Sequence, residues 1–502
     1  MEHAAPDRFD RPAALVIGAG VGGLATAMRL QAAGWQVDLF ERAAHPGGKM
    51  RALPSAAGPV DAGPTVLTLK PVFEDLFATC GARLDTCVTL TRQEVLARHF
   101  WPDGARLDLS DDPSHNARAI LAMAGPANRR AYQRFEAETR ALYDAFDGPM
   151  LQSPDPSQRD LAGAVLRDPR LIAALSPHAT LAAQLARRFP DPRLAQLFGR
   201  YATYVGGMPT HAPALLALIW QAEARGVWVV EGGMARLARA MADRLVALGG
   251  RLHLDSPVAR IETEGARVTG LTLRCGTTHR ADTVVFNGDP RALALGHLGA
   301  GVSRVAPQAA QEPRSLSARV WSFAATLRGP SLLHHNVFFG AAPRAEFADL
   351  ARGAMPADPT LYVCAQDRGT GRATPDGPER FEIILNAAPL TTARDVPDEA
   401  ATCHQRTFST LARFGLCFDP EPGPEALTTP RDWDSLFPAS AGSLYGQSPH
   451  GLTASLRRPR ARTPVKGLWL VGGGVHPGPG VPMAALSARH AAAAIMADRV
   501  ST

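Results

Sequence analysis

Short apolar runs that end in glycine alternate with helical patterns at both ends of the chain. The run Ala13–Gly18 is typical of a strand buried on both faces of a parallel sheet. A helical pattern follows and stops at Gly34, and Trp35–Phe40 predicts a second strand, so these segments form a βαβ unit. Near the other end, Gly467–Gly474 again has the pattern of a buried strand, and a helix is predicted over Met483–Ala497.

The middle of the chain has a different pattern. Residues 81–225 are rich in Ala, Leu and Arg and are broken by prolines, which predicts a mainly helical insertion. An amphipathic helix follows and leads into a strand at Arg251–Leu254; its apolar face is formed by Leu237, Met241, Leu245 and Leu248. Further strands are predicted at Val258–Thr263, Val268–Leu273, Ala281–Pro290 (ending in a turn), Ala318–Leu327, Asn336–Phe339, Thr360–Cys364 and Phe381–Asn386.

The length of 502 residues exceeds what one compact core supports, so two interleaved domains are predicted. Residues 1–80, 226–300 and 455–502 are expected to form a discontinuous nucleotide-binding domain. Residues 81–225 and 301–454 are expected to form a substrate domain. Hydrophobic residues make up 46% of the chain and charged residues 20%, which is typical of a folded globular protein.

Charge and targeting features exclude several classes of protein. The net charge is +6, but no basic run is interleaved with aromatic residues, so nucleic-acid binding is not expected. The longest apolar stretches, such as Ala212–Trp220, are shorter than the roughly 20 residues of a membrane span. The amino terminus is acidic and polar, which predicts a cytoplasmic protein. The six cysteines are scattered without a C-x-x-C pair, so no metal site is predicted.

A glycine motif directly follows the first strand and opens the first helix. In Gly18-Ala-Gly20-Val-Gly22-Gly23, Gly18 suits a tight turn, Gly20 allows the backbone to approach a pyrophosphate, and Gly23 allows close packing of helix and strand. Glu41 ends the second strand, where a carboxylate can accept hydrogen bonds from a ribose. The motif predicts a dinucleotide site but does not separate NAD from FAD.

A second motif near the carboxyl end reads Val-Gly-Gly-Gly-Val-His-Pro-Gly-Pro-Gly-Val-Pro-Met over residues 471–483. Its glycines allow close backbone approach, and Pro482 suits the first turn of a helix whose amino end favours negative charge. His476 is equally well read as a structural turn residue and as a base.

With both motifs in view, the chain resembles the bacterial phytoene-desaturase-type carotenoid desaturases over essentially its whole length. The resemblance is carried by G-A-G-V-G-G-L, E-R…G-G-K, D-A-G-P-T, N-G-D-P, H-H-N and H-P-G-P-G-V-P. Within that family it is most similar to the purple-bacterial branch that desaturates 1-hydroxy carotenoids at the 3,4-position. Val475 and Gly288 depart from residues that relatives often carry, threonine and alanine respectively.

The resemblance implies an α/β fold: an FAD-binding Rossmann-like domain of the glutathione-reductase and amine-oxidase type, with an inserted α+β substrate domain. It implies FAD as cofactor and a long polyene (carotenoid) as substrate, taken from a membrane surface by a peripherally bound enzyme at the inner or intracytoplasmic membrane. Electrons would leave to oxygen or a quinone. The implied FAD contacts are Gly18, Gly20, Gly23, Glu41, Arg42, Gly48, Lys49, Val258, Gly473, Gly474, Pro482 and Met483.

The reaction would move a hydride from carbon 4 to the flavin and a proton from carbon 3 to a weak base. Candidates for that base are His334, His335, Tyr362 and Asp367, each of which also has a structural interpretation. The stretch Leu171–Tyr204 is a candidate membrane-docking surface or, alternatively, a packed helix pair. Alternative functions are phytoene desaturation, carotenoid isomerisation or oxygenation, amine oxidation, and flavin-free escort of lipid or prenylated partners.

Overall fold

A computed structural model describes residues 12–168, 170–371, 374 and 376–500. The strands are β1 (Ala13–Ile17), β2 (Gln36–Phe40), β3 (Ala52–Leu53), β4 (Val60–Asp61), β5 (Leu90–Arg92), β6 (Val95–Phe100), β7 (Arg106–Ser110), β8 (Trp228–Val230), β9 (Arg251–His253), β10 (Val258–Glu264), β11 (Arg267–Leu273), β12 (Thr278–Arg280), β13 (Val284–Phe286), β14 (Ser317–Arg328), β15 (His335–Phe338), β16 (Leu361–Ala365), β17 (Glu379–Ala387), β18 (Cys417–Asp419), β19 (Leu427–Thr428) and β20 (Leu468–Leu470).

The α-helices are α1 (Val21–Ala32), α2 (Lys70–Thr79), α3 (Leu84–Cys87), α4 (Pro113–Phe146), α5 (Gln158–Arg167), α6 (Arg170–Leu175), α7 (Leu181–Arg188), α8 (Pro192–Gly199), α9 (Trp220–Ala224), α10 (Met234–Ala247), α11 (Pro290–Ala294), α12 (Gln308–Gln311), α13 (Pro343–Ala351), α14 (Glu399–Arg413), α15 (Pro430–Leu436) and α16 (Val481–Val500). Within the described ranges, no helix combines the length and the apolar character that a membrane span requires.

A parallel sheet joins the two ends of the chain. Its strand order is β20-β13-β1-β2-β9, with Leu15 opposite Val284 and Val284 opposite Leu468. Four of the five residues of β1 are buried, as expected for a strand covered on both faces. The predicted strands near residues 13, 35, 251, 281 and 467 are therefore confirmed, as is the antiparallel hairpin of β10 and β11.

Helices α1, α10 and α16 pack against this sheet. Residues 21–30 of α1 are all buried, because the helix lies between α10 and α16. In α10 the predicted apolar face is confirmed: Leu237, Met241 and Leu245 are fully buried in the same core.

A second sheet has the order β18-β14-β17-β16-β15-β6-β7, and β19 pairs with β14. The four strands predicted between residues 318 and 386 are confirmed as β14 to β17. The mainly helical prediction for residues 81–225 was incomplete, because β5, β6 and β7 lie between residues 90 and 110. Strand β6 pairs with β15, more than 230 residues later, so distant pairing stabilises a segment too short for a clear local pattern.

Helices α4 and α7 to α9 share a buried core with the second sheet, and α5 and α6 pack against α4. Leu181 and Leu185 of α7 and Leu194 and Leu197 of α8 are fully buried, so these two helices form the packed pair that the sequence allowed. The division into two domains stays a prediction; the two sheets lie on either side of the cavity described next.

Candidate active site

One large cavity, with a volume of about 850 Å³, lies between the two sheets. The carboxyl ends of β1, β2, β13 and β20 open onto it, which is where parallel α/β sheets bind ligands. Its wall includes every residue of the predicted cofactor set except Gly23: Gly18, Gly20, Glu41, Arg42, Gly48, Lys49, Val258, Gly473, Gly474, Pro482 and Met483.

The turn after β1 depends on the absence of side chains. Gly18 has a φ of 96°, a backbone conformation that favours glycine. A Cβ on Gly23 would lie 2.0 Å from the carbonyl oxygen of Gly18, so Gly23 permits the close contact between helix and strand that the sequence predicted. Among the residues that the structure describes, no side chain caps the amino end of α1, where a phosphate group could accept hydrogen bonds.

The Glu41 side chain is fixed at the edge of the cavity. Its Oε2 accepts a hydrogen bond from the main-chain N–H of Ala19 (2.7 Å), and its Oε1 accepts one from the N–H of Ala43 (2.9 Å). Each carboxylate oxygen can accept a further hydrogen bond, so a ribose hydroxyl can still bind there.

Asn287 connects the glycine turn at residues 18–23 with the glycines at 472–474; together these glycines form what we call the glycine cradle. The sequence did not indicate this role for Asn287. Its Nδ2 donates to the carbonyl oxygen of Gly18 (3.1 Å), and its Oδ1 is the atom that a Cβ on Gly22 or on Gly472 would meet at 2.6 Å. The position of the N-G-D-P segment, directly after a buried strand, was the feature of the sequence that could have indicated this role.

The Lys49 side chain is half-buried in the cavity wall and reaches the segment at residues 437–444. Its Nζ lies 2.5 Å from the carbonyl oxygen of Leu444 and 5.4 Å from the centre of the Phe437 ring. Burial lowers the pKa of Lys49 to about 8, against the attraction of Asp289. A cation at this place can neutralise a bound anionic group.

The carboxyl-terminal motif forms another wall of the cavity. Helix α16 begins at Val481, so Pro482 lies in its first turn as predicted. Arg458, which the sequence did not single out, is buried and donates hydrogen bonds to the carbonyl oxygens of Tyr445 (3.1 Å), Gly473 (3.2 Å) and Gln447 (3.1 Å).

The His476 side chain is held by contacts with Ser153 and His490. Its Nε2 lies 2.8 Å from the carbonyl oxygen of Ser153, and its ring stacks on that of His490. The described cavity wall does not include His476, which favours the interpretation as a turn residue.

Tyr362 is the one candidate base that lines the cavity wall, as far as the chain is described. Its hydroxyl lies 2.6 Å from Nδ1 of His335 and 2.7 Å from Oγ1 of Thr65. Burial, reinforced by the charge of His334 and then of Arg200, lowers the pKa of His335 well below its usual value, so the imidazole is neutral. The pair can therefore accept a proton from the cavity through the tyrosine hydroxyl.

The other two candidates are held by neighbouring groups. His334 Nδ1 lies 2.6 Å from the carbonyl oxygen of Arg368, and burial lowers the pKa of His334 to about 4. Asp367 accepts hydrogen bonds from Nε of Arg380 (2.9 Å) and from the Arg380 main chain (2.7 Å).

The ligand atoms of His334, His335 and Cys364 lie within 4.8 Å of one another, a spacing that could hold a metal ion. Burial and then the nearby Glu382 raise the pKa of the Cys364 thiol well above its usual value. A thiol that stays protonated is a poor metal ligand, so the chemistry favours a hydrogen-bonded cluster.

Comparisons with known proteins agree with this geometry. The family model for flavin containing amine oxidoreductase matches residues 21–496. Hydroxyneurosporene desaturase from Cereibacter sphaeroides is 56% identical, with 98% of each chain covered. The enzyme of the same name from Rhodobacter capsulatus is 48% identical over 97% of this chain and 98% of its own. Cyclohexylamine oxidase from Brevibacterium oxydans has a similar fold, with a TM-score of 0.56, 18% identity, and coverage of 98% of this chain and 100% of its own.

The protein is therefore a flavoprotein of the flavin-containing amine oxidoreductase family, with FAD as its cofactor. The similarity to the amine oxidase shows the shared fold alone. Within the flavoproteins, the chain belongs to the carotenoid desaturase family that its motifs resemble.

Proposed function

We propose that the protein introduces the 3,4 double bond into 1-hydroxy or 1-methoxy carotenoids in carotenoid biosynthesis. The observation that carries the proposal is a single cavity that joins a glycine cradle to a long wall of apolar side chains. The apolar wall includes Phe146, Met150, Leu151, Leu215, Leu216, Leu218 and Ile219. Relatives that are up to 56% identical over nearly the whole chain are named hydroxyneurosporene desaturases.

The residues of the cradle fit FAD. We assign the pyrophosphate to the turn at Gly18 and Gly20, the adenosine ribose to Glu41, and the adenine to the backbone near Val258. Gly473 and the start of α16 would hold the flavin ring. Segments 1–80, 226–300 and 455–502 would form the discontinuous FAD domain, since the five strands of the parallel sheet come from them.

Bound FAD supplies a two-electron acceptor for the hydride from carbon 4. Loss of that hydride leaves a cation spread over the polyene, so the proton on carbon 3 becomes strongly acidic and a weak base suffices. The Tyr362 oxygen would accept this proton while its own proton moves to Nδ1 of His335, 2.6 Å away. Apolar side chains exclude water from the cation. The electrons would then leave to oxygen or a quinone.

A membrane surface is the proposed source of the substrate. Leu166 of α5 is 80% exposed and Ile172 of α6 is 54% exposed, an uncommon exposure for large apolar side chains. On the inner side, these helices pack against Phe146, Met150 and Leu215, which line the cavity. The two helices thus lie between the apolar wall and the exterior, as a peripheral entry site requires.

The test is an anaerobic incubation of the FAD-loaded protein in liposomes with 1-hydroxyneurosporene and, separately, with phytoene. Flavin bleaching together with a red-shifted polyene spectrum from the hydroxylated substrate alone is the expected result. Turnover of phytoene would identify a general desaturase instead. If neither substrate reduces the flavin, the proposal is wrong, and isomerisation, oxygenation and escort become the functions to test.

A further inference from the structure

A group of buried polar side chains interrupts the apolar wall of the cavity. Arg200, Thr203, Tyr204 and Glu223 all line it, close to the leucines of the 214–219 turn. Arg200 is 8% exposed and Glu223 is 4% exposed. Charged side chains are rarely buried this deeply. Tyr204 and Glu223 attract the Arg200 guanidinium but do not use all of its donors, so its presence on an apolar wall requires an explanation.

Arg200 has donors that the described residues leave unused. Its Nε and Nη2 are buried and have no hydrogen-bond partner. The guanidinium is held in place by aromatic rings, with its carbon 4.9 Å from the centre of the Tyr204 ring and 5.4 Å from that of Tyr201. Tyr201 in turn donates a hydrogen bond to Oε2 of Glu223 (2.6 Å). A buried donor without an acceptor costs about 1–3 kcal/mol, which a ligand oxygen would recover.

The chemistry of the proposed substrate places an oxygen near this position. In a 1-hydroxy carotenoid the oxygen-bearing carbon is two bonds from carbon 3, where the proton leaves. A group that binds the oxygen must therefore lie beside the proton acceptor. Arg200 meets this condition: its guanidinium carbon lies 4.9 Å from the centre of the Tyr204 ring, Tyr204 and Tyr362 pack against the same buried cluster, and all three residues line the cavity.

We propose that the Arg200 guanidinium binds the terminal oxygen of the substrate, and that this contact selects oxygenated polyenes over hydrocarbon ones. The inference rests on the proposed function. A guanidinium only donates hydrogen bonds. A hydroxyl oxygen and a methoxy oxygen both accept them, so Arg200 would bind either substrate end equally well. A hydrocarbon end would leave the buried donors unpaired, and sites of this type reject such analogues strongly.

The experiment compares three substrates in liposomes: the 1-hydroxylated polyene, its 1-methoxy ether, and the same polyene without oxygen. For the wild-type protein, kcat/KM is expected to be at least 100-fold higher for both oxygenated substrates, following the usual size of such discrimination. Arg200→Met is expected to reduce this preference to less than 10-fold, with the hydrocarbon turned over as before or faster. Arg200→Lys, which keeps a donor, should restore part of the preference.

Arg188→Gln is the matched control, because Arg188 also packs over an aromatic ring, 5.8 Å from the centre of Phe135, but lies outside the described cavity wall. Its substrate preference should equal that of the wild type. Flavin content of each variant verifies folding.

Two negative results have different meanings. If the wild-type protein turns over none of the three polyenes, the proposed function itself fails. If it prefers the oxygenated substrates and Arg200→Met keeps that preference, or if all three rates fall by the same factor, Arg200 has only a structural role and this inference is wrong.

Discussion

The hydroxyl of Tyr362 lies 2.6 Å from Nδ1 of His335, and the two residues come from neighbouring antiparallel strands. In that register Tyr362 pairs with Val337, and His335 pairs with Cys364. The pairing brings the hydroxyl to the cavity while the imidazole stays behind it, 3% exposed. Within the described structure, the Tyr362 oxygen thus links the buried imidazole to the cavity.

Tyr362→Phe should slow formation of the desaturated polyene about 100-fold, the usual contribution of a positioned proton acceptor. Stopped-flow absorbance of the polyene measures the rate, because the proton leaves only after the flavin has taken up the hydride. Tyr132→Phe is the control. The Tyr132 hydroxyl is also buried and accepts a hydrogen bond from Asn116, but Tyr132 lies outside the described cavity wall. An unchanged rate in Tyr362→Phe would assign the proton to another acceptor.

The rate of product formation should be independent of pH between about 6 and 7. Burial lowers the pKa of His335 well below 6.5 and raises that of Tyr362 well above 10, so neither group titrates in this range, and the pKa of Lys49, about 8, lies above it. A profile of this rate against pH tests the prediction. A sigmoidal change with a midpoint near 6.5 would show that an ordinary exposed histidine controls the step.

Gly23→Ala should abolish retention of FAD, because the new Cβ would lie 2.0 Å from the Gly18 carbonyl oxygen and the turn would have to open. The ratio of flavin to protein absorbance after gel filtration measures retention. Gly163→Ala is the matched control, since nothing lies within 4 Å of a Cβ there and alanine favours helix α5 by about 1 kcal/mol. A yellow Gly23→Ala protein would contradict the assignment of the turn.

Local patterns predicted the buried strands and the glycine cradle because both are encoded by neighbouring residues. The apolar runs at 13–18 and 467–474 each show a strand without knowledge of its partner. The Tyr362–His335 pair could not be predicted in the same way. It depends on the register of β15 with β16, and the sequence names the residues but not their pairing.

Arg200 and Arg458 were missed for a related physical reason. The chain contains many arginines, and nothing in the local sequence distinguishes a buried one from those on the surface. Their burial results from tertiary packing, by the rings of Tyr201 and Tyr204 around Arg200 and by three carbonyl groups around Arg458.

Glu346 should make the protein less stable as the pH rises. The side chain is 2% exposed, its Oε2 accepts a hydrogen bond from Thr360 (2.7 Å), and its Oε1 has no partner in the described structure. Burial raises the pKa of Glu346 to about 7. Between pH 4.5 and 7 the folded state binds a proton that the unfolded state has lost, so the free energy of unfolding falls as pH rises through this window.

Glu346→Gln removes this dependence. Above pH 7 the variant should be more stable than the wild type by up to about 3 kcal/mol, and at pH 4.5 the two should be alike. Thermal unfolding of the FAD-loaded proteins at pH 5 and pH 8 measures this difference in stability. It corresponds to a shift of a few degrees in Tm for a chain of this length. Parallel curves for the two proteins across this range would mean that Glu346 ionises normally.

The exposed apolar side chains of α5 and α6 should contribute directly to membrane binding. Leu166→Glu with Ile172→Glu removes two large apolar groups, each worth about 1.5–3 kcal/mol if it is buried in lipid, so the partition coefficient should fall at least tenfold. Sedimentation with phospholipid vesicles in 0.5 M NaCl, roughly enough to screen the basic surface, measures this binding. Val246→Glu is the control, because Val246 is also 54% exposed but lies on α10 beside the parallel sheet. Equal sedimentation of the double variant and the control would place the membrane contact elsewhere, whereas loss in the double variant alone would identify α5 and α6 as the entry side of the cavity.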